Sequence, residues 1–284
     1  GIDGTTAIHK DSSIFKDWAT EVFIHRGKQD ISKSNSDTAS LGTWPNVLGK
    51  ADGTSIVSLG DSGYATLQFS SVLYNGAGPD FAIFENAFNN TFLELAFVEV
   101  SSDGVHFFRF PSHSLTDTIV PVGGFGAVNP RDVYNFAGKY SANYGTPFDL
   151  EELVGTAGLD LQNITHIRVV DAVGTLDNAF AQRDSKGRKI NDNYPTPFPS
   201  GGFDLEAVVA IYIRPVGIQE HSVQTIQLYP NPAKDYISVI GKQWSNSSYS
   251  VLSSKGRIVE SGTLLRQIEL TGLSAGIYFL EMSN

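Results

Sequence analysis

Short apolar segments alternate along the chain with clusters of Gly, Asn, Asp, Ser and Pro. The segments are rich in β-branched and aromatic residues, which is typical of strands separated by turns. A helical period holds over no long stretch, apart from a short helix predicted around residues 130–136. We predict strands at SIVSLG, YATLQF, DFAIFE, LAFVEVS, HFFRFP, ITHIRVVD and FDLEAVVAIYI. The pattern therefore predicts an all-β protein.

The segment DFAIFE has four consecutive apolar residues between two acids. Because side chains alternate across a strand, an uninterrupted apolar run predicts a strand that is buried on both faces. A strand rises about 3.3 Å per residue, so Asp80 and Glu85 lie roughly 16 Å apart and do not share one ion. Asp80 follows Gly78-Pro79 and is predicted to stabilise a turn. Glu85, together with Asn86, is the better candidate for a site.

Near residue 217 the pattern changes. The stretch RPVGIQEHSVQT is polar and holds a Pro and a Gly between two strand-rich regions, which predicts a linker at residues 217–225. Residues 1–216 are predicted to form one large β-sandwich. Residues 226–284 contain several short strand segments, with SKG as a hairpin turn, and are predicted to form a small immunoglobulin-like β-sandwich.

The C-terminal region carries the segments LYPNPAKDYISV, YSVLSSKGRIVESG and LSAGIYFLEM. Through Tyr229-Pro230-Asn231-Pro232 and Gly276-Ile277-Tyr278 above all, it resembles the C-terminal sorting domain of the type IX secretion system of Gram-negative bacteria. The resemblance implies export across the outer membrane, to the cell surface or the extracellular space, with the type IX secretion machinery as a partner. A generic immunoglobulin-like module is the alternative.

The region before the linker contains VSLGDSGYATLQF, NGAGPDFAIFENAF, AFVEVSSDGVHFFRFP, HIRVVDAVG and GGFDLEAVVAI. These segments resemble bacterial cell-surface protein domains that are related to jelly-roll, carbohydrate-module-like sandwiches. The resemblance implies a jelly-roll-like β-sandwich ahead of the small immunoglobulin-like β-sandwich. Some relatives occur beside outer-membrane uptake systems, including those for corrinoids. This implies a ligand captured at the surface and an outer-membrane transporter as a further partner.

The net charge of the chain excludes some classes of binding partner. The chain has 20 Lys and Arg against 30 Asp and Glu, for a net charge of −10. This field repels nucleic-acid phosphates and anionic lipid headgroups, so we expect no nucleic-acid partner. No apolar run is long enough to span a bilayer, so we expect no membrane insertion. The absence of cysteine excludes disulfides, thiolate metal ligands and cysteine nucleophiles.

Acidic residues lie at the ends of several predicted strands. Asp171 ends ITHIRVVD, whereas Asp204 begins the next long strand, with Glu206 on the same face because side chains alternate. If these two strands pair antiparallel, Asp171 and Asp204 lie at one edge of the sandwich, where Glu85 and Asn86 can join them. Oxygen ligands without His or Cys suit a hard cation, and calcium tolerates irregular geometry. The alternative is that these acids are solvated or bind loop amides.

Two loop-rich regions hold many aromatic residues. In residues 111–163 most of them are expected to fold inward as a small core for a long loop. Tyr144 in this region is a candidate ligand-binding residue. In the second region Tyr194 and Phe198 lie among prolines that stiffen the backbone, beside Asn193. Rigid rings next to polar groups suit a sugar ring or a corrinoid face, while inward packing is equally compatible with the pattern.

Catalytic motifs are sparse. The six histidines are dispersed without an H-x-x-x-H or H-E-x-x-H pattern, and no G-x-S-x-G or phosphate-binding loop is present. No catalytic residue is therefore assigned. We expect an exported, non-catalytic binding protein that captures a glycan or another small molecule for uptake, a corrinoid included, with calcium bracing its loops. The alternatives are a secreted carbohydrate-active hydrolase that uses the strand-end carboxylates and an adhesin that binds a protein.

Overall fold

The computed structural model describes residues 4–215, 227–240, 247–264 and 267–283. The chain divides into two compact units, Gly1–Val216 and Gly217–Asn284. The linker predicted at residues 217–225 lies outside the described residues. Within these ranges, no helix is long and apolar enough to cross a membrane.

The described part of the N-terminal unit consists of strands joined by loops and 3-10 turns. Its strands are β1 (Ile8–His9), β2 (Asp17–Trp18), β3 (Glu21–His25), β4 (Val57–Ser58), β5 (Tyr64–Leu73), β6 (Phe81–Glu85), β7 (Ala96–Ser101), β8 (Phe108–Arg109), β9 (His113–Ser114), β10 (Val133–Tyr134), β11 (Tyr144–Phe148), β12 (Ile164–Asp171), β13 (Asp204–Ala210) and β14 (Ile213–Pro215). Its 3-10 helices are Trp44–Val47, Pro130–Asp132 and Leu150–Leu153. The short helix predicted around residues 130–136 is the second of these, and β10 follows it directly.

Two main sheets form this unit. The first has the strand order β1-β11-β6-β13-β2, with β4 also paired to β13. The second has the order β14-β5-β12-β7-β8, with β3 also paired to β5. The successive long strands β5, β6, β7, β11, β12 and β13 alternate between the two sheets, and neighbouring strands are antiparallel. This connectivity gives a jelly-roll-like β-sandwich, and the predicted all-β fold class is confirmed.

The main core lies between the inner faces of the two sheets. Ile83 and Val208 contribute to it from the first sheet, and Leu67 and Val169 from the second. All four side chains are at most 1% exposed. Burying each such side chain contributes about 1.5–3 kcal/mol to folding, so this layer supplies the main driving force that holds the two sheets together.

Strand β6 is buried on both faces, as its apolar run predicts. Phe81 and Ile83 face the inter-sheet core, whereas Phe84 belongs to a second buried cluster on the opposite face. Phe15 and Trp18 cover that face, with their ring centroids 5.9 and 5.5 Å from the centroid of Phe84. The N-terminal segment therefore shields β6, the strand that ends at Glu85.

Each predicted strand segment contains a strand, and these strands are β4, β5, β6, β7, β8, β12 and β13. The antiparallel pairing considered for the strands that end at Asp171 and begin at Asp204 does not form. β12 lies in the second sheet between β5 and β7, while β13 lies in the first sheet beside β6. The two strand ends still meet across the sandwich, because the Phe203 N–H donates to Asp171 Oδ1 at 2.7 Å.

Asp80 is fully buried at the turn before β6. Its Oδ1 accepts a hydrogen bond from the Gly76 N–H and its Oδ2 accepts one from the Leu150 N–H, both at 2.7 Å. The carboxylate closes the turn and attaches the 3-10 helix Leu150–Leu153 to it. Burial raises the pKa of Asp80 to about 6, against the opposing effect of the two N–H donors. The predicted role of Asp80 in a turn is confirmed.

The described part of the C-terminal unit consists of two three-stranded antiparallel sheets. Its strands are β15 (Gln227–Tyr229), β16 (Tyr236–Ile240), β17 (Ser248–Ser253), β18 (Ile258–Thr263), β19 (Gln267–Glu269) and β20 (Tyr278–Ser283). The sheet orders are β15-β16-β19 and β18-β17-β20, and Val251, Leu264 and Ile268 form the buried core. The hairpin predicted at SKG joins β17 to β18, where Gly256 has a φ of +75°.

We predict that Asp80→Ala destabilises the protein by about 2–4 kcal/mol, because it leaves the buried Leu150 N–H and the half-buried Gly76 N–H without an acceptor. Urea-induced unfolding of the full chain measures this loss. Asp160→Ala is the matched control, since the Asp160 carboxylate also accepts a backbone N–H but is exposed. Equal losses for the two variants would contradict the structural role of Asp80.

Candidate functional site

A pocket of about 220 Å³ opens where β6 ends and β13 begins. Three acids line its inner part: Glu85, Glu94 and Asp204. Four phenylalanines line its outer part: Phe88, Phe92, Phe125 and Phe198. We call the whole site the acid pocket, the three acids its acid floor and the four rings its phenylalanine rim.

The pairing of β6 with β13 positions the acid floor. Leu205 of β13 lies opposite Glu85 of β6, so that the first residues of one strand are beside the last residue of the other. Alternate residues of β6 share a face, and Phe81 and Ile83 on that face belong to the inter-sheet core. Glu85 therefore continues an apolar inner row as a carboxyl group. This explains why it is only 2% exposed although it lies at a strand end.

The phenylalanine rim is a continuous series of ring contacts across three loops. Phe88 stacks on Phe92 with ring centroids 4.7 Å apart, and Phe92 lies 6.4 Å from Phe125. Phe125 in turn lies 5.8 Å from Phe198. Phe88 and Phe125 are 76% and 77% exposed. A row of exposed rings beside a pocket is more typical of a binding surface than of a core.

Burial and mutual repulsion dominate the electrostatics of the acid floor. Burial raises the pKa of Glu85 and of Glu94 well above their usual range, and the neighbouring Asp204 and Asp192 carboxylates raise both further. The Ala87 N–H opposes this effect at Glu85. Burial also raises the pKa of Asp204 to about 7, against the Ser58 hydroxyl and the Arg26 guanidinium. The floor is therefore poised to hold protons near neutral pH.

Hydrogen bonding leaves part of the acid floor unsatisfied. Asp204 Oδ1 accepts a hydrogen bond from the Ser58 hydroxyl. In the described part of the chain, Glu85 Oε2 has no hydrogen-bond partner although it is buried. A buried acceptor without a donor costs about 1–3 kcal/mol, and more when it is charged. Glu85, which lines the pocket, thus carries a buried acceptor that lacks a donor.

Asp171, one of the predicted metal ligands, lies outside the acid pocket. Its two carboxylate oxygens accept hydrogen bonds from the Phe203 N–H at 2.7 Å and the Ser62 N–H at 2.9 Å. Gly202, with a φ of +74°, brings the backbone close to Asp171 Oδ1, and a Cβ there would lie 2.8 Å from that oxygen. Asp171 connects the end of β12 to the loops that precede β5 and β13, which matches the loop-amide alternative.

Glu206 lies in a different pocket, of about 280 Å³, beside Lys50, Asp52 and Ser55. Its Oε1 accepts a hydrogen bond from the Gly53 N–H, and its Oε2 is buried without a partner among the described residues. The register of β13 against β6 shifts between Leu205 and Ala207. This β-bulge breaks the regular alternation of side chains, and Glu206 consequently faces a different pocket from Asp204.

The five predicted calcium ligands therefore divide. Glu85, Asn86 and Asp204 line the acid pocket together, whereas Asp171 and Glu206 do not. Across the described ranges, no group of three or more His, Cys, Asp and Glu side chains has an arrangement that could hold a metal ion. Calcium binding stays a prediction.

The four predicted ligand-binding residues also divide. Phe198 belongs to the phenylalanine rim. Tyr194 donates its hydroxyl to Asp30 Oδ1 at 2.9 Å, and Tyr144 packs edge-on against His9 with centroids 5.1 Å apart. Asn193 is buried, and in the described structure neither polar atom of its amide has a hydrogen-bond partner. Of the aromatic residues expected to fold inward, three are buried: Phe136, Tyr140 and Phe148.

Sequence reasoning missed most of the acid pocket. Glu94 stands next to a predicted strand and resembles an ordinary strand-end acid. Phe88 and Phe92 are four residues apart in the Asn-rich stretch NAFNNTF, and Phe125 stands between glycines. Large rings in such polar loops were the available signal, since apolar side chains without a strand or helix to pack them are candidates for a binding surface.

Most of the C-terminal unit matches the model of a known family. Its strands β15–β20 lie within residues 227–284, and these residues match the family model of the secretion system C-terminal sorting domain. The C-terminal unit is a type IX sorting domain. This sorting domain directs export across the outer membrane to the cell surface or the extracellular space, and it engages the type IX secretion machinery. No curated protein matches the chain significantly.

We predict that the free energy of unfolding falls as the pH rises from about 5 to about 8. The folded acid floor retains protons that the unfolded chain has already released above pH about 4. Between that pH and its raised folded pKa, each such group therefore lowers the free energy of unfolding by about 1.4 kcal/mol per pH unit. Urea unfolding of the full chain at several pH values measures the slope. Glu94→Gln, which is neutral throughout, should lessen it, and a slope that is flat or rising would contradict the burial of these acids.

The calcium prediction has its own test. If calcium braces these loops, addition of the ion raises the melting temperature, EGTA reverses the rise, and Asp204→Asn abolishes it, since one carboxylate ligand is lost. Differential scanning calorimetry of the full chain measures all three. Glu206→Gln is the matched control, because Glu206 faces another pocket. The absence of any calcium-dependent shift would refute the prediction.

Proposed function

We propose that this exported chain is a non-catalytic binding protein whose N-terminal unit captures a small ligand, a glycan end in particular, in the acid pocket. The observation that carries the proposal is the junction of exposed rings with buried carboxyl groups. A sugar residue offers an apolar C–H face for stacking and hydroxyl groups that donate hydrogen bonds. The phenylalanine rim and the acid floor supply the matching halves of such a site.

The size of the acid pocket supports one class of ligand over another. Its 220 Å³ is below the roughly 300–1,000 Å³ typical of sites for drug-sized molecules. One terminal sugar residue is of the right scale, whereas a corrinoid ring system would enter only by an edge. We therefore propose a glycan, rather than a corrinoid, as the ligand.

Export brings the acid pocket into contact with ligands outside the cell. The sorting domain directs the chain out of the cell, where sugars from the surroundings reach the exposed Phe88 and Phe125 rings directly. A captured ligand would then pass to an outer-membrane transporter, which makes the chain an accessory to uptake. Binding to a protein, as in an adhesin, would use the same rings but would leave the acid floor without a role.

A secreted carbohydrate-active hydrolase is the second candidate, and the clustering of Glu85, Glu94 and Asp204 favours it. A protonated carboxyl would donate its proton to the glycosidic oxygen while an ionised carboxylate deprotonates water. The hydroxide equivalent adds to the anomeric carbon as the glycosidic bond breaks, giving two sugars. Burial that keeps one carboxyl protonated near neutral pH suits the acid in this scheme.

A glycan array followed by calorimetry on the full chain tests the proposal. We expect Phe198→Ala to weaken binding of a glycan hit about 2- to 13-fold, because a stacked ring contributes roughly 0.5–1.5 kcal/mol. Phe23→Ala is the matched control, since Phe23 is an exposed ring on β3 that does not line the pocket. Binding that survives Phe198→Ala and Glu85→Gln would refute the pocket as the site, and turnover of the glycan would favour the hydrolase.

A further inference from the structure

The acid floor groups three carboxyl groups without a cationic partner. Among the described residues, none of Glu85, Glu94 and Asp204 forms an ion pair. Arg26 is the cation that acts on Asp204, but its guanidinium donates to the backbone oxygens of Leu41, Gly42 and Ser58. No described side chain therefore brings a positive charge into the pocket itself.

One buried atom points to a ligand independently of the acidic cluster. Glu85 is 2% exposed, lines the pocket, and has Oε2 without a partner among the described residues. Buried polar groups are almost always hydrogen-bonded, and each exception calls for an explanation such as a missing ligand. A donor that enters the pocket would satisfy this oxygen.

The phenylalanine rim limits what that donor can be. A metal ion of hard character requires several oxygen ligands, and four phenylalanine rings offer none. The faces of aromatic rings attract organic cations, and rings grouped around a pocket are a known means of binding ammonium groups. In the part of the chain that the structure describes, no group of acids has an arrangement for a metal. Rings and carboxyls together suit an organic cation better than a metal ion.

We infer that the ligand of the acid pocket carries a positively charged nitrogen, as a primary or quaternary ammonium group. The nitrogen contacts the acid floor, where its N–H or polarised C–H groups face Glu85, and its carbon substituents lie against the phenylalanine rim. The small volume indicates that the cationic head alone enters. This inference rests on the proposed function and narrows it: among glycans, it selects those that end in an amino sugar with a free amine.

Matched pairs of cation and neutral analogue test the inference by calorimetry on the full chain. The pairs are choline with 3,3-dimethylbutan-1-ol and glucosamine with glucose, at neutral pH. We expect at least one cation to bind at least tenfold more tightly than its neutral partner. Glu85→Gln should lower the affinity for that cation at least tenfold, while Asp160→Asn, which removes one exposed charge elsewhere, should leave it unchanged.

The outcomes separate the two proposals. Equal affinity within both pairs, lost in Phe198→Ala, overturns the inference and leaves the binding function intact. Failure of all four compounds and of the glycan array overturns both. Calcium binding that is lost in Glu85→Gln assigns the acid floor to a metal and also overturns the inference. Thermal unfolding confirms that Glu85→Gln is folded, and Phe198→Ala provides a second variant that leaves the floor unchanged.

Discussion

Buried carboxylates hold the ends of this sandwich together. Asp80 binds the backbone of two segments, Asp171 joins the loops before β5 and β13, and Asp192 accepts the Leu95 N–H at 2.6 Å. Because strands alternate between the sheets, nearly every connection crosses from one sheet to the other and leaves backbone N–H groups without strand partners. In a chain that has no cysteine, carboxylates acting as acceptors take on this task of fastening loops.

The acids of the pocket differ from these structural ones in what surrounds them. A fastening carboxylate such as Asp171 has a backbone donor for each oxygen. Glu85 has an oxygen without any donor among the described residues, and it shares its surroundings with Glu94 and Asp204. The same side chain thus stabilises the fold in one place and is costly in another. A locally destabilising polar group in an otherwise stable fold is typical of a functional site.

The sequence indicated the strands well and the site only in part. Alternation and apolar runs depend on local spacing, so β6, β12 and β13 could be located from their residues alone. The meeting of Glu85 with Asp204 followed from both being strand ends, although β12 and β13 lie in different sheets. Glu206 was placed beside Asp204 because a β-bulge leaves no mark in the pattern. The phenylalanine rim could not be predicted from the sequence, since Phe125 and Phe198 meet only through the tertiary arrangement of distant loops.

The alternation of strands between the sheets also governs the order in which this protein can fold. β6 pairs with β13, as in the contact of Ile83 with Val208, so a central pair of the first sheet joins segments that are far apart in the chain. The sheet cannot close until β13 has been synthesised, and topologies with such distant pairings fold slowly. In the sequence, only β14 and the stretch up to residue 226 separate β13 from the sorting domain, so the export signal follows closely on the segment that completes the first sheet.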